Sequence, residues 1–431
     1  MTVSAAVPSA TIDRAREARK VAVSSVVGTT IEFYDFALYG LAAVLVFGPQ
    51  FFPAGDPVAA ELGALATFAA GFVVRPLGAV IAGHFGDRIG RKSVLIWSFM
   101  LMGAATLLIA FLPTYAQVGF IAPVLLVCLR LLQGLAAGAE WGGAALMAVE
   151  HAPDNKKGLY GAAPAFGIAL GTVLAYLVMV VVNAVAKEAF VEGGWRIAFG
   201  VSIVLIFVGI IVRRTIAESP LFKEAMEKED TQPPSVPIVA VFRKHPRKVL
   251  LGITWVASTA SFGYIVQPYA VGFAAAEHGY TQTLLLWAVI VGSIMKLITV
   301  FIAGRWLDRF PQRSVLIAIA LMQVVSVAAF FPLLATGNAL LAVLAFTVGL
   351  GTVGLVNATI GSFLAGLFPT EVAYTGLALT YNLSYTIGGV APLVAASIVA
   401  ATGGIMWMGV ALMALAVLAL ITALRRPRLV G

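Results

Sequence analysis

Twelve long apolar runs separated by short polar segments constrain this chain more than any other feature. An α-helix needs roughly 20 apolar residues to cross a hydrocarbon core about 30 Å thick. Runs of that order fall near 21–47, 60–83, 93–112, 120–149, 158–185 and 195–214, and again near 249–275, 284–304, 315–335, 339–368, 373–400 and 404–424. Hydrocarbon offers backbone N–H and C=O groups no partners, so such runs must satisfy themselves as helices. The expected fold is therefore an all-α membrane protein with twelve transmembrane helices in two six-helix bundles, 21–214 and 249–424. Residues 1–20 read as an N-terminal tail, 215–248 as a central loop and 425–431 as a C-terminal tail. The central loop contains SPLFKEAMEKED, which reads as a short amphipathic helix. Composition agrees, with 61% hydrophobic and 11% charged residues, far from soluble averages. The 43 glycines suit helices that pack closely where water no longer drives them together.

A net charge of +8 would suit a nucleic-acid binder, but its placement excludes that reading. Arg88, Arg91, Lys92, Lys156, Lys157, Arg305, Arg309, Arg313, Arg425, Arg426 and Arg428 all fall on the side of the amino terminus, leaving Lys187 and Arg196 opposite. Basic loops stay in the cytoplasm, so both termini are expected there, with the chain crossing the plasma membrane many times. The first run is of spanning length without a cleavage site after it, so no removable signal peptide is expected. Enzyme and pump chemistry find no support. The single Cys128 excludes an intramolecular disulfide, and His84, His151, His245 and His278 are scattered near predicted helix ends without metal-ligand spacing. GDRIGRKS lacks both the phosphate-loop spacing and a preceding strand. Neither a cofactor nor a metal is expected, and energy must come from an ion gradient or from the substrate's own gradient.

The two halves repeat. An offset of 221 residues carries Gly83, Asp87, Arg88 and Lys92 onto Gly304, Asp308, Arg309 and Arg313, Glu150 onto Glu371, and Arg75 onto Lys296. Homologous halves of this kind are related by a pseudo-two-fold axis along the membrane normal, with a binding site near the midplane between them.

The segment GHFGDRIGRK matches G-x-x-x-D-R-x-G-R-[RK] and resembles the signature loop of the major facilitator superfamily. GTTIEFYDFALYG, GFVVRPLG, RLLQGLAAGAEWGGAALMAVEHAP, GGWRIAF and LFPTEVAYTG resemble the metabolite:proton symporter family within it. The resemblance implies proton-coupled uptake of a small carboxylate metabolite by alternating access. Protons, an organic anion and the lipid bilayer are the implied partners of a monomeric chain. Transport of organic acids without proton coupling, or of a zwitterionic osmolyte, stays open as an alternative.

Individual residues carry the chemistry. In the first run Glu32, Asp35 and Tyr39 share one helical face. Intramembrane carboxylates are expensive and mark function by default; burial favours their neutral form and a neighbouring cation their ionised form. In the fourth run Arg130, Gln133, Glu140 and Trp141 share another face, Glu140 reading as a packing or gate group. The resemblance implies an Asp35–Arg130 pair for proton coupling. Arg75 and Lys296, at matching depth, either face a shared cavity and bind carboxylate or are tied up in salt bridges with Glu140 or Glu32. Gln267, beside Pro268, and Asn357, Tyr381, Asn382 and Tyr385 either hydrogen-bond substrate or join helices. Asp87, Arg88, Arg91 and Glu150, with their counterparts Asp308, Arg309 and Glu371, read as a duplicated cytoplasmic gate in which Arg–Glu pairs latch one conformation.

Overall fold

A computed structural model describes residues 7–53, 55–89, 91–138, 140–187, 189–214, 237–369 and 372–425. Each apolar run becomes one helical rod. They are α1 (Val7–Ala42, prolonged through a wide turn at Ala43–Phe47), α2 (Pro57–Val73 and Arg75–Ile89), α3 (Arg91–Ile109), α4 (Ile121–Gly138 and Trp141–Glu150), α5 (Ala163–Ala186) and α6 (Trp195–Arg214). The second half supplies α7 (Pro246–Tyr264, a wide turn at Ile265–Tyr269, then Ala270–His278), α8 (Gln282–Arg309), α9 (Gln312–Leu334), α10 (Ala339–Ala365), α11 (Ala373–Thr402) and α12 (Met406–Arg425). Eleven apolar segments are long enough to cross a membrane, and α3 contributes the shorter Ile96–Ile109. No strand occurs among the described residues.

Helix boundaries follow local chemistry. The Asp56 carboxylate accepts from the backbone N–H groups of Val58 and Ala59, at 2.9 and 3.1 Å, and so caps α2. Asn338 caps α10 in the same way through Leu340 and Leu341. Gly279 and Gly403 end α7 and α11 in the left-handed region, where a side chain would be strained. The amino-terminal tail differs from expectation: residues 7–20 continue α1, with Lys20 paired to Glu17 at 2.9 Å. A helix nucleated in its apolar part extends cheaply into polar sequence. The central segment also holds more helix than expected, with Pro237–Lys244 helical and α7 starting at Pro246, a first-turn position that proline tolerates. SPLFKEAMEKED lies outside the described residues.

Two features position the centre of the molecule. First, α2 and α4 cross almost backbone to backbone. A Cβ at Gly138 would run into the Arg75 carbonyl, and one at Gly71 into the Arg130 side chain. Second, the wide turns in α1 and α7 recur with the repeat, since the offset carries Ala43 to Tyr264, one residue before Ile265. In α7 the cause is Pro268, which has no N–H to give. The Tyr176 hydroxyl of α5 donates to the Gln267 carbonyl there at 2.6 Å.

The halves meet on both sides of the centre. Toward the end that bears the termini, Asp308 of α8 accepts from the N–H groups of Gly158 and Leu159, at 2.7 and 3.1 Å. Toward the other end Val44 of α1 lies against Gly272 of α7. Contacts among the described residues thus close the centre from both sides.

Candidate functional site

Glu32, Asp35 and Tyr39 are all buried on the inward face of α1, as their spacing requires. Glu32 forms an ion pair with Arg75 of α2, and neither side chain is exposed. Of the two alternatives for Arg75, the internal salt bridge is the one formed. Its guanidinium carbon also lies 4.9 Å from the centre of the Phe36 ring and 5.6 Å from that of Tyr385, so its charge is spread over an acid and aromatic faces.

Asp35 and Arg130 do not form the direct pair expected of them. Arg130 Nη1 donates to Gln133 Oε1 at 3.2 Å, and Gln133 Nε2 donates to Thr106 Oγ1 at 2.7 Å. Thr106 Oγ1 in turn lies 2.7 Å from Asp35 Oδ2. Three hydrogen bonds therefore stand where one ion pair was expected. The physical reason is an aromatic box: the Arg130 guanidinium carbon lies 4.2 Å from the Tyr39 ring centre and 4.4 Å from that of Phe36. Gly71 leaves the space that the arginine occupies. Tyr39 belongs to this box and donates its hydroxyl to Thr67 Oγ1 at 2.8 Å. Asp35 Oδ1 is buried without a hydrogen-bond partner.

Where the halves meet there is a cavity of about 20 Å³, room for about one water. Phe33 of α1, Tyr264 and Gln267 of α7, Lys296 of α8, Asn357 of α10 and Tyr385 of α11 line it. Four expected binding residues, Lys296, Gln267, Asn357 and Tyr385, thus converge. Phe33 and Tyr264 each meet Tyr385 edge to face, with ring centres 6.1 Å apart, which makes the wall aromatic. Lys296 is 2% exposed and has no ion pair among the described residues. The Tyr264 hydroxyl and Gln267 Nε2 are buried donors without partners.

Arg75 and Lys296 therefore differ despite their matching depth. The repeat contains the explanation: the offset carries Glu32 to Ile253 and Asp35 to Val256. The first-half cation has an acid on α1, while the positions that match Glu32 and Asp35 in the second half are apolar. That signal was available in the sequence.

Trp141, Tyr381 and Asn382 make contacts between the halves and do not line the cavity. Trp141 of α4 stacks on Tyr381 of α11 with ring centres 3.4 Å apart and planes 4° from parallel. Asn382 Nδ2 donates to the Ala378 carbonyl at 2.9 Å and the Gly138 carbonyl at 3.3 Å. Glu140 is buried beside the break in α4. At the gate, Asp308 makes the contact between halves through backbone N–H groups, whereas Arg309 is exposed without an ion pair among the described residues and Arg313 donates to the Leu424 carbonyl at 2.8 Å. Glu150 is exposed at the end of α4. The side chains of Asp87, Arg88 and Arg91, and the whole of Glu371, lie outside the described residues. Thr106 escaped the sequence reading, because a threonine inside an apolar run carries no local signal of its partners.

The sequence pattern of the Major Facilitator Superfamily matches residues 26–392. The inner membrane metabolite transport protein YhjE of Escherichia coli (strain K12) is 41% identical over 385 residues, covering 88% of this chain and 87% of that protein. The shikimate transporter of the same organism is 36% identical over 405 residues, covering 93% and 92%. A proline/betaine transporter of Salmonella typhimurium is 32% identical over 420 residues, covering 94% and 83%. Among solved structures, the partially occluded inward open conformation of the xylose transporter XylE from E. coli superposes with a TM-score of 0.73 at 15% identity, covering 95% of this chain and 98% of that one. That likeness concerns the fold alone.

Proposed function

We propose a specific reading of a chain that belongs to the Major Facilitator Superfamily: it carries a small carboxylate together with a proton across the membrane, its termini in the cytoplasm. The coarse frame is secure, since its relatives are multi-pass membrane transporters and not enzymes. The observation that carries the finer reading is Lys296, a buried lysine with no ion pair among the described residues, in the wall of a central cavity. An unpaired buried charge is costly unless something neutralises it. A substrate carboxylate does so, and Gln267, Asn357 and the Tyr264 hydroxyl then meet its remaining polar groups.

Asp35 is the proton carrier in this reading. Its Oδ1 faces no donor in the closed protein, and leaving an acceptor buried and unsatisfied costs about 1–3 kcal/mol, more when it is charged. The substrate-loaded protein therefore crosses with Asp35 neutral, and the proton leaves once the cavity opens to water. Glu32 is less suited to the task, because the Arg75 guanidinium neutralises it in place.

Alternating access follows from the two sets of contacts between halves. Opening toward the cytoplasm separates Asp308 from Gly158 and Leu159, and Trp141 from Tyr381. Opening outward separates Val44 from Gly272 and Gln267 from Tyr176. By the repeat, Asp87 with Arg88, Arg91 and Glu150 forms the equivalent latch on the first half, and Arg309 and Glu371 belong to the second.

Shikimate, a hydroxylated monocarboxylate, is the natural first probe, given one relative's name. Purified protein in liposomes, loaded with unlabelled acid, is assayed for counterflow across a panel of mono- and dicarboxylates and betaine. Losing a charge-assisted hydrogen bond costs about 1.5–3 kcal/mol. Lys296→Gln should therefore raise the KM for the transported acid at least about tenfold, and Lys296→Arg should raise it less. Preferred transport of betaine, with Lys296→Gln harmless, would overturn the reading.

A further inference from the structure

We infer that Thr106 is the positioning residue that lets Asp35 hold either protonation state inside the closed protein. The inference rests on the proton coupling proposed above and adds the device by which one site accommodates both forms.

Thr106 Oγ1 is surrounded by three polar atoms on three helices. Asp35 Oδ2 of α1 lies at 2.7 Å, Gln133 Nε2 of α4 at 2.7 Å, and the Met102 carbonyl of its own helix α3 at 2.9 Å. All of the side chains involved are buried. A threonine hydroxyl has one hydrogen to donate and two lone pairs to accept with. Two of the three neighbours are fixed in role. The Gln133 amide nitrogen can only donate, and its orientation is set because Gln133 Oε1 accepts from Arg130. The Met102 carbonyl can only accept. Asp35 alone can change sides.

When Asp35 is ionised, the Thr106 hydroxyl donates to Oδ2 while Gln133 donates to Oγ1. When a proton binds Oδ2, the new O–H donates to Thr106 Oγ1 and the threonine hydrogen turns to the Met102 carbonyl. Gln133 donates in both states. Each state uses the hydroxyl within its capacity, and the exchange requires rotation of one O–H without displacement of any heavy atom. The only bond made or broken is Asp35 O–H, its proton coming from and returning to water on whichever side is open. A carrier needs this contact to be kept in both states, because a hydroxyl that could pair with only one form would hold the proton on or keep it off.

The charged surroundings are few. Glu32 on the same helix and Arg130 on α4 act on Asp35. Tyr34 and Tyr39 are the other titratable groups within four residues of Asp35 on α1. Neither the Ile96–Ile109 stretch of α3 nor α5 bears a charged residue. Arg130 thus reaches Asp35 through Gln133 and Thr106, and removing the hydroxyl cuts that chain at its middle.

The test compares Thr106→Val, which keeps the shape and removes the hydroxyl, with Thr106→Ser, which keeps the hydroxyl. Protein in liposomes is assayed with shikimate, or with the best substrate of the counterflow panel. Three readouts are taken: accumulation driven by a pH gradient, exchange at equal pH and concentration, and proton entry followed with an internal pH dye. Exchange cycles the loaded, protonated form and needs no proton release, whereas accumulation does. Thr106→Val should lower accumulation relative to exchange by about tenfold, cut substrate-dependent proton entry in step, and displace the pH profile of exchange. Thr106→Ser should stay within about twofold of the parent. Parent-like coupling in Thr106→Val overturns the inference, as does a loss in Thr106→Ser as large as in Thr106→Val, which would mean that packing and not the hydroxyl matters. If the valine variant does not fold, Thr106→Ala carries the same comparison. A parent protein whose substrate brings in no protons removes the proposed coupling itself, a result distinct from a coupled parent with an indifferent Thr106.

Discussion

The Glu32–Arg75 pair allows a prediction worked from both directions. Both side chains are excluded from solvent, and two further Arg75 nitrogens, Nε and Nη1, have no hydrogen-bond partner. Removing one member of a fully buried ion pair strands the other charge and typically costs about 3–5 kcal/mol. Removing both leaves no stranded charge and is often close to neutral. Glu32→Gln and Arg75→Gln should therefore each lower the thermal midpoint of the detergent-solubilised protein markedly, and the double variant should recover most of the loss. Independent effects would add to about 6–10 kcal/mol, whereas the pairing account keeps the double variant below either single one. Unfolding followed by intrinsic tryptophan fluorescence is suitable, because Trp141, Trp195 and Trp255 are buried. Additive losses, with a double variant worse than either single one, would refute the pairing. They would return Arg75 to the role of a cation held for substrate.

Other expectations follow from close contacts. Gly138→Ala drives a methyl group into the Arg75 carbonyl, so it should cost about 1–3 kcal/mol of stability. By displacing α2 from α4 on the order of 1 Å, it should also lower transport by as much as about 100-fold; unfolding midpoint and counterflow rate check the two. Asp308→Ala removes two hydrogen bonds between the halves, each to a charged acceptor and worth about 1.5–3 kcal/mol. It should open the terminus-bearing side, seen as faster maleimide labelling of Asn357→Cys from that side in a background lacking Cys128.

Much of the architecture is legible in the sequence because the bilayer imposes it. Length and apolarity determine the rods, Gly and Pro mark their ends and breaks, and an eight-residue span from Glu32 to Tyr39 places three polar groups on one face whatever surrounds them. Burial of Arg75, Arg130 and Lys296 could be expected on the same grounds. Partner choice is another matter. Arg130 has a long, flexible arm, and whether it reaches a carboxylate or settles among aromatic rings depends on the space that Gly71 opens on a different helix. Thr106 becomes important only because α3 brings it between α1 and α4. For Tyr381 and Asn382 the sequence leaves substrate binding and helix joining open, and the contact between the halves that also takes in Trp141 selects the second. The contrast between Arg75 and Lys296 lies between these cases, since it rests on Ile253 standing where the repeat would place an acid.

The central claim is that a carboxylate and a proton move together, and simultaneous measurement of both fluxes tests it most directly. In liposomes holding the purified protein and an internal pH dye, addition of the transported acid without an imposed gradient should acidify the lumen in proportion to uptake. An uncoupler should abolish accumulation driven by a pH gradient, and Asp35→Asn should eliminate the proton signal while leaving exchange. Uptake of the acid that proceeds to the same level with uncoupler present, with no proton movement, would contradict the account.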